Sequence, residues 1–119
     1  MKNKISVLMS VYNDELFVGQ AIESILKQSY TNFEFLIIDD FSTDNTYSIC
    51  NEYSSQDSRI YLEKNTSNIG LTLSLNKLVN KASGRFIARQ DSDDTSYENR
   101  FLIQEKLLRT SKFAACSTL

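Results

Sequence analysis

Short apolar runs alternate with longer amphipathic segments along the whole chain, and this alternation constrains the fold more than any other feature. The runs have strand length and carry Ile, Val, Phe or Tyr. They cover residues 5–11, 33–38, 59–63, 85–89 and 113–118. The resulting β-α-β-α-β-α-β-α-β order predicts an α/β, Rossmann-like domain whose mostly parallel sheet has helices on both faces. The 119 residues contain no linker or repeat, so we expect a single domain over residues 1–119.

Four segments between the runs have apolar residues at helical spacing. Their apolar stripes are Phe17, Ala21 and Ile25, then Tyr47, Cys50 and Tyr53, then Leu71, Leu75, Leu78 and Ala82, and finally Phe101, Ile103, Leu107 and Leu108. The first and last stripes predict helices over residues 15–28 and 98–110. The expected caps are Asn13 or Asp14 for the first helix, Ser42 or Thr43 for the second and, at the C-terminus of the third, Gly84.

The composition excludes several classes of protein. The chain has no histidine, so it has no imidazole for a metal site or a catalytic triad. Its 13 basic and 15 acidic residues give a net charge of −2, which argues against nucleic-acid binding. Cys50 and Cys116 are expected to be reduced core residues. No stretch approaches the ~18 apolar residues of a membrane helix, so we expect a cytoplasmic protein without a membrane segment in this chain.

Polar side chains follow three of the apolar runs, at the point where each predicted strand ends. The first run leads into Ser10 and Tyr12, the second into Asp39 and Asp40, and the fourth into Asp91, Asp93 and Asp94. Ligands of parallel α/β sheets bind outside the carboxyl ends of the strands. We therefore expect these residues at one edge of the sheet, around a binding site.

The acidic residues after the fourth run favour a metal site. Two carboxylates about 4 Å apart repel by about 4 kcal/mol at an effective dielectric of about 20, so a buried cluster of Asp91, Asp93 and Asp94 needs protonation or a cation. Oxygen ligands without histidine or thiolate favour Mg²⁺ or Mn²⁺. The alternative is a solvated acidic turn that caps the following helix. Arg89 is expected either to pair with this turn or to face solvent, and Arg100 either to contact phosphate or to be exposed.

Two interpretations stay open for the other strand-end residues. Asp39 and Asp40 are either binding residues or caps of an ordinary strand-to-helix turn. Tyr12 either stacks on a base or packs half-buried against the fold.

Four motifs occur in the chain: residues 6–13 (SVLMSVYN), residues 38–46 (IDDFSTDNT), residues 68–84 with NIG at the start and ASG at the end, and residues 87–94 (IARQDSDD). In order and spacing they resemble the motifs of family 2 glycosyltransferases, which have the GT-A fold. The resemblance implies a metal-dependent, inverting transfer from a nucleoside diphosphate sugar, with UDP or dTDP as the expected nucleotide. It also implies a saccharide or lipid-linked acceptor and a role in cell-surface polysaccharide biosynthesis.

The resemblance implies a role for each matching position. Ser10 and Tyr12 match positions that line the base pocket, where the tyrosine ring stacks on the base. Asp40 matches the aspartate that hydrogen-bonds the base, with Asp39 beside it. Asp91 and Asp93 match the DxD motif, so Asp91 is expected to approach the ribose or sugar and both to hold the divalent metal.

The chain also departs from the family pattern. The family commonly has Pro where this chain has Ser10 and Glu98, which affects rigidity rather than chemistry. The family's acceptor site and catalytic base come from sequence beyond the fifth strand. We therefore expect the general base beyond Leu119, and the chain to be a truncated, donor-binding part with little activity alone. Self-association through the truncated sheet edge and peripheral attachment of the full-length protein to the inner membrane are further expectations.

A receiver-like signalling domain with an acidic Mg²⁺ site is the alternative function. Receivers place their acidic pair after the first strand and a lysine after the last. This chain places Asp39 and Asp40 after the second run and has no lysine after residue 112. A dinucleotide-binding oxidoreductase is disfavoured because no GxGxxG follows the first run.

Overall fold

The computed structural model describes residues 3–110, which form four strands and four helices in alternation. The strands are β1 (Ile5–Val11), β2 (Phe33–Asp39), β3 (Ile60–Lys64) and β4 (Phe86–Arg89), and the helices are α1 (Val18–Leu26), α2 (Thr46–Gln56), α3 (Leu71–Lys81) and α4 (Arg100–Thr110). Four of the predicted apolar runs are therefore strands, each within one residue at either end. The fifth, at residues 113–118, lies outside the described residues. Between residues 3 and 110, none of the helices has the length and apolar character to cross a bilayer.

The sheet has the strand order β3-β2-β1-β4, and every neighbouring pair is parallel. This is the beginning of the doubly wound order 3-2-1-4, in which the direction of winding reverses between β1 and β4. A receiver-like sheet has the order 2-1-3 instead, so the topology argues against that alternative. Sheets of this class bind ligands in the crevice at the reversal, outside the carboxyl ends of the strands. The carboxyl ends of β1 and β4 are therefore where a site is expected.

Helices cover both faces of the sheet, as predicted. On one face α1, α2 and α4 contribute Val18, Ile22, Ile25, Cys50 and Phe101 to a cluster with Val7, Val11, Phe35 and Ile37. On the other face Leu78 of α3 packs on Leu8, Leu36 and Ile38, with Leu75 and Ala82 beside it. The sheet is thus the middle layer of three, and on its α3 face Tyr61 of β3 and Ile87 of β4 are exposed.

The helix α1 begins later than the sequence predicts. The carbonyl of Asp14 accepts hydrogen bonds from the N–H groups of Phe17 (3.2 Å) and Val18 (3.0 Å), so the preceding residues form a turn. Phe17, rather than Asn13 or Asp14, occupies the N-cap position. The predicted side-chain cap of this helix is therefore wrong.

The predicted cap of α2 is also wrong, because Asn45 rather than Ser42 or Thr43 occupies the N-cap position. The carboxylate of Asp44 accepts the Thr46 N–H at 2.9 Å and the Thr46 hydroxyl at 2.6 Å. An acidic side chain in front of the helix satisfies one of its free N–H groups and favours its positive end.

Gly84 is required by a close approach of backbones and not by a helix end. The C-cap of α3 is Ala82, with extended backbone. A Cβ at position 84 would lie 2.7 Å from the Lys4 carbonyl oxygen and 2.7 Å from the Ser6 nitrogen. The turn before β4 therefore packs directly on β1, which leaves room only for glycine.

Two of the predicted apolar stripes are only partly buried. In α3 Leu71 is exposed, and in α4 Ile103 and Leu107 are exposed. The buried face of α4 consists of Phe101 and Glu105, one turn apart. A glutamate is tolerated there because its carboxylate accepts hydrogen bonds from two side chains. Of the predicted stripe of α4, Phe101 is buried and Leu108 half-buried, so the apolar pattern predicted the buried face only in part.

Candidate functional site

Three loops meet at the carboxyl edge of the sheet, as the strand-end residues predict. We refer to residues 12–17 as the first loop, residues 40–45 as the second loop and residues 91–94 as the acid turn. The register pairs Val11 with Asp39 across β1 and β2, and Leu8 with Arg89 across β1 and β4. The three loops therefore leave the sheet side by side, at the edge where sheets of this class bind ligands.

Asp39 and Asp40 lie on opposite faces of the sheet, because successive residues of a strand alternate. Asp39 is fully buried on the face covered by α1 and α2. Its Oδ2 accepts the Ser42 N–H at 2.9 Å, while its Oδ1 has no hydrogen-bond partner within residues 3–110. Asp40 lies on the α3 face, to which alternation also assigns Ser10 and Tyr12. Ser10, Tyr12 and Asp40 thus share one face, and Asp39 does not.

Asp40 ties the loop before α3 to the sheet. Its Oδ1 accepts hydrogen bonds from the Asn65 amide at 2.9 Å and the Ile69 N–H at 2.8 Å, and its Oδ2 accepts the Gly70 N–H at 2.9 Å. Burial alone would raise the pKa of Asp40, but these hydrogen bonds outweigh burial and lower the pKa below its ordinary value. The carboxylate is therefore ionised and already bound to protein donors.

Hydrogen bonds lock the first loop to the second loop. Asn13 donates its N–H to Ser42 Oγ at 2.9 Å, and its Oδ1 accepts the Thr43 N–H at 2.8 Å. Asp14 donates its N–H to Thr46 Oγ1 at 2.8 Å. The side chains of Asn13 and Ser42, which were predicted to cap helices, instead accept hydrogen bonds from backbone N–H groups of the opposite loop.

Backbone strain and exposed aromatic rings occur at the same two loops. Asn13 (φ 47°) and Phe41 (φ 67°) are the non-glycine residues with left-handed backbone among residues 3–110. Tyr12 is 49% exposed and Phe41 45% exposed. Strained loop residues tend to be retained at functional sites, and half-exposed rings offer faces on which a flat ligand can stack.

The acid turn is exposed, so the repulsion argument for a buried cluster does not apply to it, and its exposure agrees with the alternative of a solvated turn. Asp91, Asp93 and Asp94 are all exposed, and Asp91 Oδ1 pairs with Arg89 Nη2 at 3.2 Å. Among the described residues, no three acidic, cysteine or histidine side chains form a group that could hold a metal ion by themselves. Charge repulsion therefore does not force a cation into the turn. A metal held here needs further ligands from a bound molecule.

Two side chains that the sequence analysis did not select as site residues, Gln90 and Asp14, hold the acid turn. Gln90 is buried, and its Nε2 donates to the carbonyl oxygens of Asp91 (3.1 Å) and Asp94 (2.9 Å). Asp14 Oδ2 accepts the Ser92 hydroxyl at 2.7 Å, which links the first loop to the turn. The sequence feature that could have indicated Gln90 is its position as a polar residue directly after a predicted strand. Nothing in the sequence marks the contact between Asp14 and Ser92.

Arg100 belongs to the same framework and is engaged within the protein. Its Nη1 donates to Ser96 Oγ at 3.0 Å and to Gln90 Oε1 at 3.2 Å, and its Nη2 donates to the Arg89 carbonyl at 3.0 Å. The guanidinium thus joins the end of β4 to the start of α4.

Cys50 is a core residue, as predicted. Burial raises the pKa of its thiol to about 12, with a further contribution from the charge of Asp39. The thiol therefore stays protonated and unreactive at neutral pH. Cys116 lies outside the described residues.

The sequence matches Glycosyl transferase family 2 over residues 6–117. It is 47% identical over 98 residues to the Putative glycosyltransferase EpsE of Bacillus subtilis, covering 82% of this chain and 35% of that protein. It is 41% identical over 104 residues to the UDP-Glc:alpha-D-GlcNAc-diphosphoundecaprenol beta-1,3-glucosyltransferase WfgD of Escherichia coli, covering 87% of this chain and 40% of that protein. The chain therefore spans well under half the length of these relatives.

Solved structures show the same fold. TarS of S. aureus, residues 1–349 in complex with UDP, superposes with a TM-score of 0.82 at 27% identity, covering 89% of this chain and 32% of that chain. The complex of the same protein with UDP-GlcNAc has a TM-score of 0.77. These neighbours have the GT-A fold, which confirms the predicted fold class. The receiver-like alternative finds no support among the comparisons.

Proposed function

The chain belongs to glycosyl transferase family 2, and from this premise we propose that residues 1–119 form the donor-binding part of an inverting glycosyltransferase. In this proposal a sugar passes from a nucleoside diphosphate sugar to an acceptor hydroxyl. The observation that carries the proposal is that the first loop, the second loop and the acid turn meet at the carboxyl edge of the sheet, where Ser92 of the acid turn donates a hydrogen bond to Asp14 of the first loop. A base held near Tyr12 and Asp40 and a diphosphate held at the acid turn fit this arrangement.

In the proposed complex the base stacks on Tyr12, whose ring is half exposed beside Ser10. Asp40 reaches the base only if the loop of residues 68–70 moves, because its carboxylate is buried and accepts two N–H groups from that loop. Asp39 lies on the opposite face, so its part in nucleotide binding is to hold the second loop through Ser42.

The acid turn suits a divalent metal shared with the donor. Mg²⁺ and Mn²⁺ prefer oxygen ligands, and one or two carboxylates together with substrate phosphates are a usual coordination. Exposed carboxylates on an open turn provide such a partial shell. We assign Asp93 and Asp91 as the ligands, with Arg89 releasing Asp91 when the donor arrives. A metal bound there would neutralise the charge that develops on the departing diphosphate.

The names of the relatives support a choice of substrates. TarS is solved with UDP and UDP-GlcNAc, and WfgD is named for a UDP-Glc donor and a diphosphoundecaprenol-linked acceptor. We therefore propose UDP, with dTDP as the second choice, and a saccharide or lipid-linked acceptor. A lipid-linked acceptor in turn favours a cytoplasmic protein that attaches peripherally to the inner membrane and acts in cell-surface polysaccharide biosynthesis.

Calorimetric titration of the 119-residue chain with UDP, dTDP and GDP, each with and without Mn²⁺, tests this proposal. We expect UDP to bind about tenfold more tightly with Mn²⁺, since one charge-assisted contact contributes on the order of 1–3 kcal/mol. Asp93→Asn should abolish the metal-dependent gain and leave the weaker metal-free binding unchanged.

The matched control is Glu52→Gln, which removes one exposed carboxylate from α2. It should behave as wild type in every titration. UDP binding that is equally tight with and without Mn²⁺, or that Asp93→Asn leaves unchanged, would contradict the metal role. The absence of binding by all three nucleotides would contradict the donor site itself.

A further inference from the structure

Gln90 occupies a buried position directly after β4, with only 4% of its surface exposed. Its Nε2 donates to the carbonyl oxygens of Asp91 at 3.1 Å and Asp94 at 2.9 Å. Its Oε1 accepts the Ser96 hydroxyl at 2.5 Å and Arg100 Nη1 at 3.2 Å. A glutamine amide has two N–H donors and an oxygen with two lone pairs, so this side chain uses its complete hydrogen-bonding capacity.

The backbone around Gln90 is fixed as well. Its own N–H donates to the Leu8 carbonyl at 3.0 Å, which anchors the beginning of the turn to β1. The Asp94 N–H donates to the Asp91 carbonyl at 3.2 Å and closes the turn. A buried polar network in which every member is satisfied is rigid and favours one arrangement. The two ends of the acid turn are therefore held by one amide group.

Within residues 3–110, the carboxylates of Asp91 and Asp93 lack such support, whereas Asp94 Oδ1 accepts the Thr95 N–H at 2.8 Å. Asp93 is exposed, and Asp91 forms an ion pair with Arg89 between half-exposed side chains, an interaction that contributes little. Their directions therefore depend on the backbone that carries them. Among the described residues, Gln90 is the buried side chain that hydrogen-bonds to both ends of this backbone.

We propose that Gln90 is a positioning residue, which holds the acid turn in the conformation that presents Asp91 and Asp93 to the metal and the diphosphate. Arg100 and Ser96 fix the orientation of its amide group, so that the N–H groups and not the oxygen face the turn. The part that concerns ligand binding rests on the proposed function. The part that concerns the conformation of the turn stands independently of it.

Amide hydrogen exchange on the 119-residue chain tests the conformational part. Gln90→Met retains the approximate volume of the side chain and removes its donors and its acceptor. We expect the Asp94 amide to exchange at least tenfold faster in this variant, while the amides of β1 and β2 exchange as in wild type. Gln56→Met, at an exposed position at the end of α2, is the matched control and should leave the Asp94 amide unchanged.

A second variant covers the case in which Gln90→Met does not fold. In Gln90→Glu one carboxylate oxygen still faces Arg100 and forms an ion pair with it, which maintains packing. The other carboxylate oxygen replaces the N–H groups that face the carbonyl groups of the turn. This variant should also speed exchange at Asp94. Unchanged exchange in either folded variant overturns the proposal. So does an equal acceleration at Asp94 and in β1, because that pattern reports a merely structural role.

Titration with UDP completes the test. In wild type and in Gln56→Met we expect the same affinity gain with Mn²⁺, whereas Gln90→Met should lose about tenfold of the Mn²⁺-dependent affinity and keep its metal-free affinity. A wild-type chain without any Mn²⁺-dependent binding contradicts the proposed function, and the exchange data then still decide the role of Gln90. Faster exchange at Asp94 with an unchanged Mn²⁺-dependent affinity overturns the positioning role.

Discussion

The two edges of the sheet are built in opposite ways. At the amino edge, formed by residues 4, 6, 34, 83 and 84, Glu34 accepts hydrogen bonds from the Ser6 hydroxyl (2.6 Å) and from the N–H (2.7 Å) and hydroxyl (2.9 Å) of Ser83. At the carboxyl edge, within residues 3–110, Asp39 has a buried oxygen without a hydrogen-bond partner, and the loop residues Asn13 and Phe41 adopt left-handed backbone. The amino edge thus satisfies its polar groups and stabilises the sheet. The carboxyl edge has strained backbone, charged groups and exposed aromatic rings, which are features typical of ligand-binding sites.

The largest expected effect on stability is at the amino edge, for Gly84→Ala. The added Cβ would meet the backbone of Lys4 and Ser6 at 2.7 Å, and central strand backbone cannot move aside without breaking sheet hydrogen bonds. We expect the free energy of unfolding to fall by about 3 kcal/mol, at the upper end for overpacked sites. Chemical denaturation at pH 7 measures it.

Gly19→Ala is the matched control for this prediction. Position 19 lies inside α1, and a Cβ there would meet the Tyr53 ring only at ordinary contact distances of 3.5 Å and more. Because alanine is the better helix former by up to about 1 kcal/mol, this variant should be slightly more stable than wild type. If both variants destabilise the chain equally, the close approach at position 84 does not explain the first result.

A smaller effect is expected from the charge of Glu34. Burial would raise its pKa, but hydrogen bonds from Ser6, Ser83 and Lys4 outweigh burial and lower it from 4.5 to about 2. A lowered pKa in the folded state stabilises the protein above about pH 4.5, and this contribution disappears as the pH falls from 4.5 toward 2. With a 17% exposed side chain, we expect it to be on the order of 2 kcal/mol.

The comparison of wild type with Glu34→Gln isolates this contribution, since other acidic groups with lowered pKa values titrate equally in both. The free energy of unfolding, measured by denaturation between pH 7 and pH 2.5, should be higher in wild type at pH 7. The difference between the two proteins should shrink steadily below pH 4.5. A difference that stays constant across this range would show that the charge of Glu34 does not stabilise the amino edge.

Most of the fold is visible in the sequence because burial on both faces leaves a strong pattern. The apolar runs at residues 5–11 and 33–38 are such strands, and both are confirmed. Local polar residues predicted helix ends poorly. Asn13 and Ser42 are residue types that often cap helices, yet here they form a hydrogen bond between the first and second loops. A sequence pattern shows which groups need partners, but contacts over 29 residues decide which partners they find.

The candidate site was likewise predicted in part from the sequence. The positions of the strand ends in the sequence correctly predicted that Tyr12, Asp40 and the acid turn lie at one edge, because the carboxyl ends of parallel strands share an edge. Whether the acids are buried stayed open in the sequence, since spacing along the chain does not reveal how far a turn projects into solvent. Gln90 was missed because its importance depends on Ser96 and Arg100, which reach it only after α4 packs on the sheet.

The smallest effect on stability is expected at the carboxyl edge, for Tyr12→Ala. Because the ring is 49% exposed, the free energy of unfolding should change by less than about 0.5 kcal/mol. The affinity for UDP should nevertheless fall about tenfold, since stacking of a base on an aromatic ring contributes about 1–3 kcal/mol. Tyr12→Phe keeps the ring and should bind UDP as wild type does, as calorimetric titration of the three proteins would show. A loss of stability comparable to that of Gly84→Ala would mean that both edges are structural, and equal UDP affinities for the alanine and phenylalanine variants would exclude stacking at Tyr12.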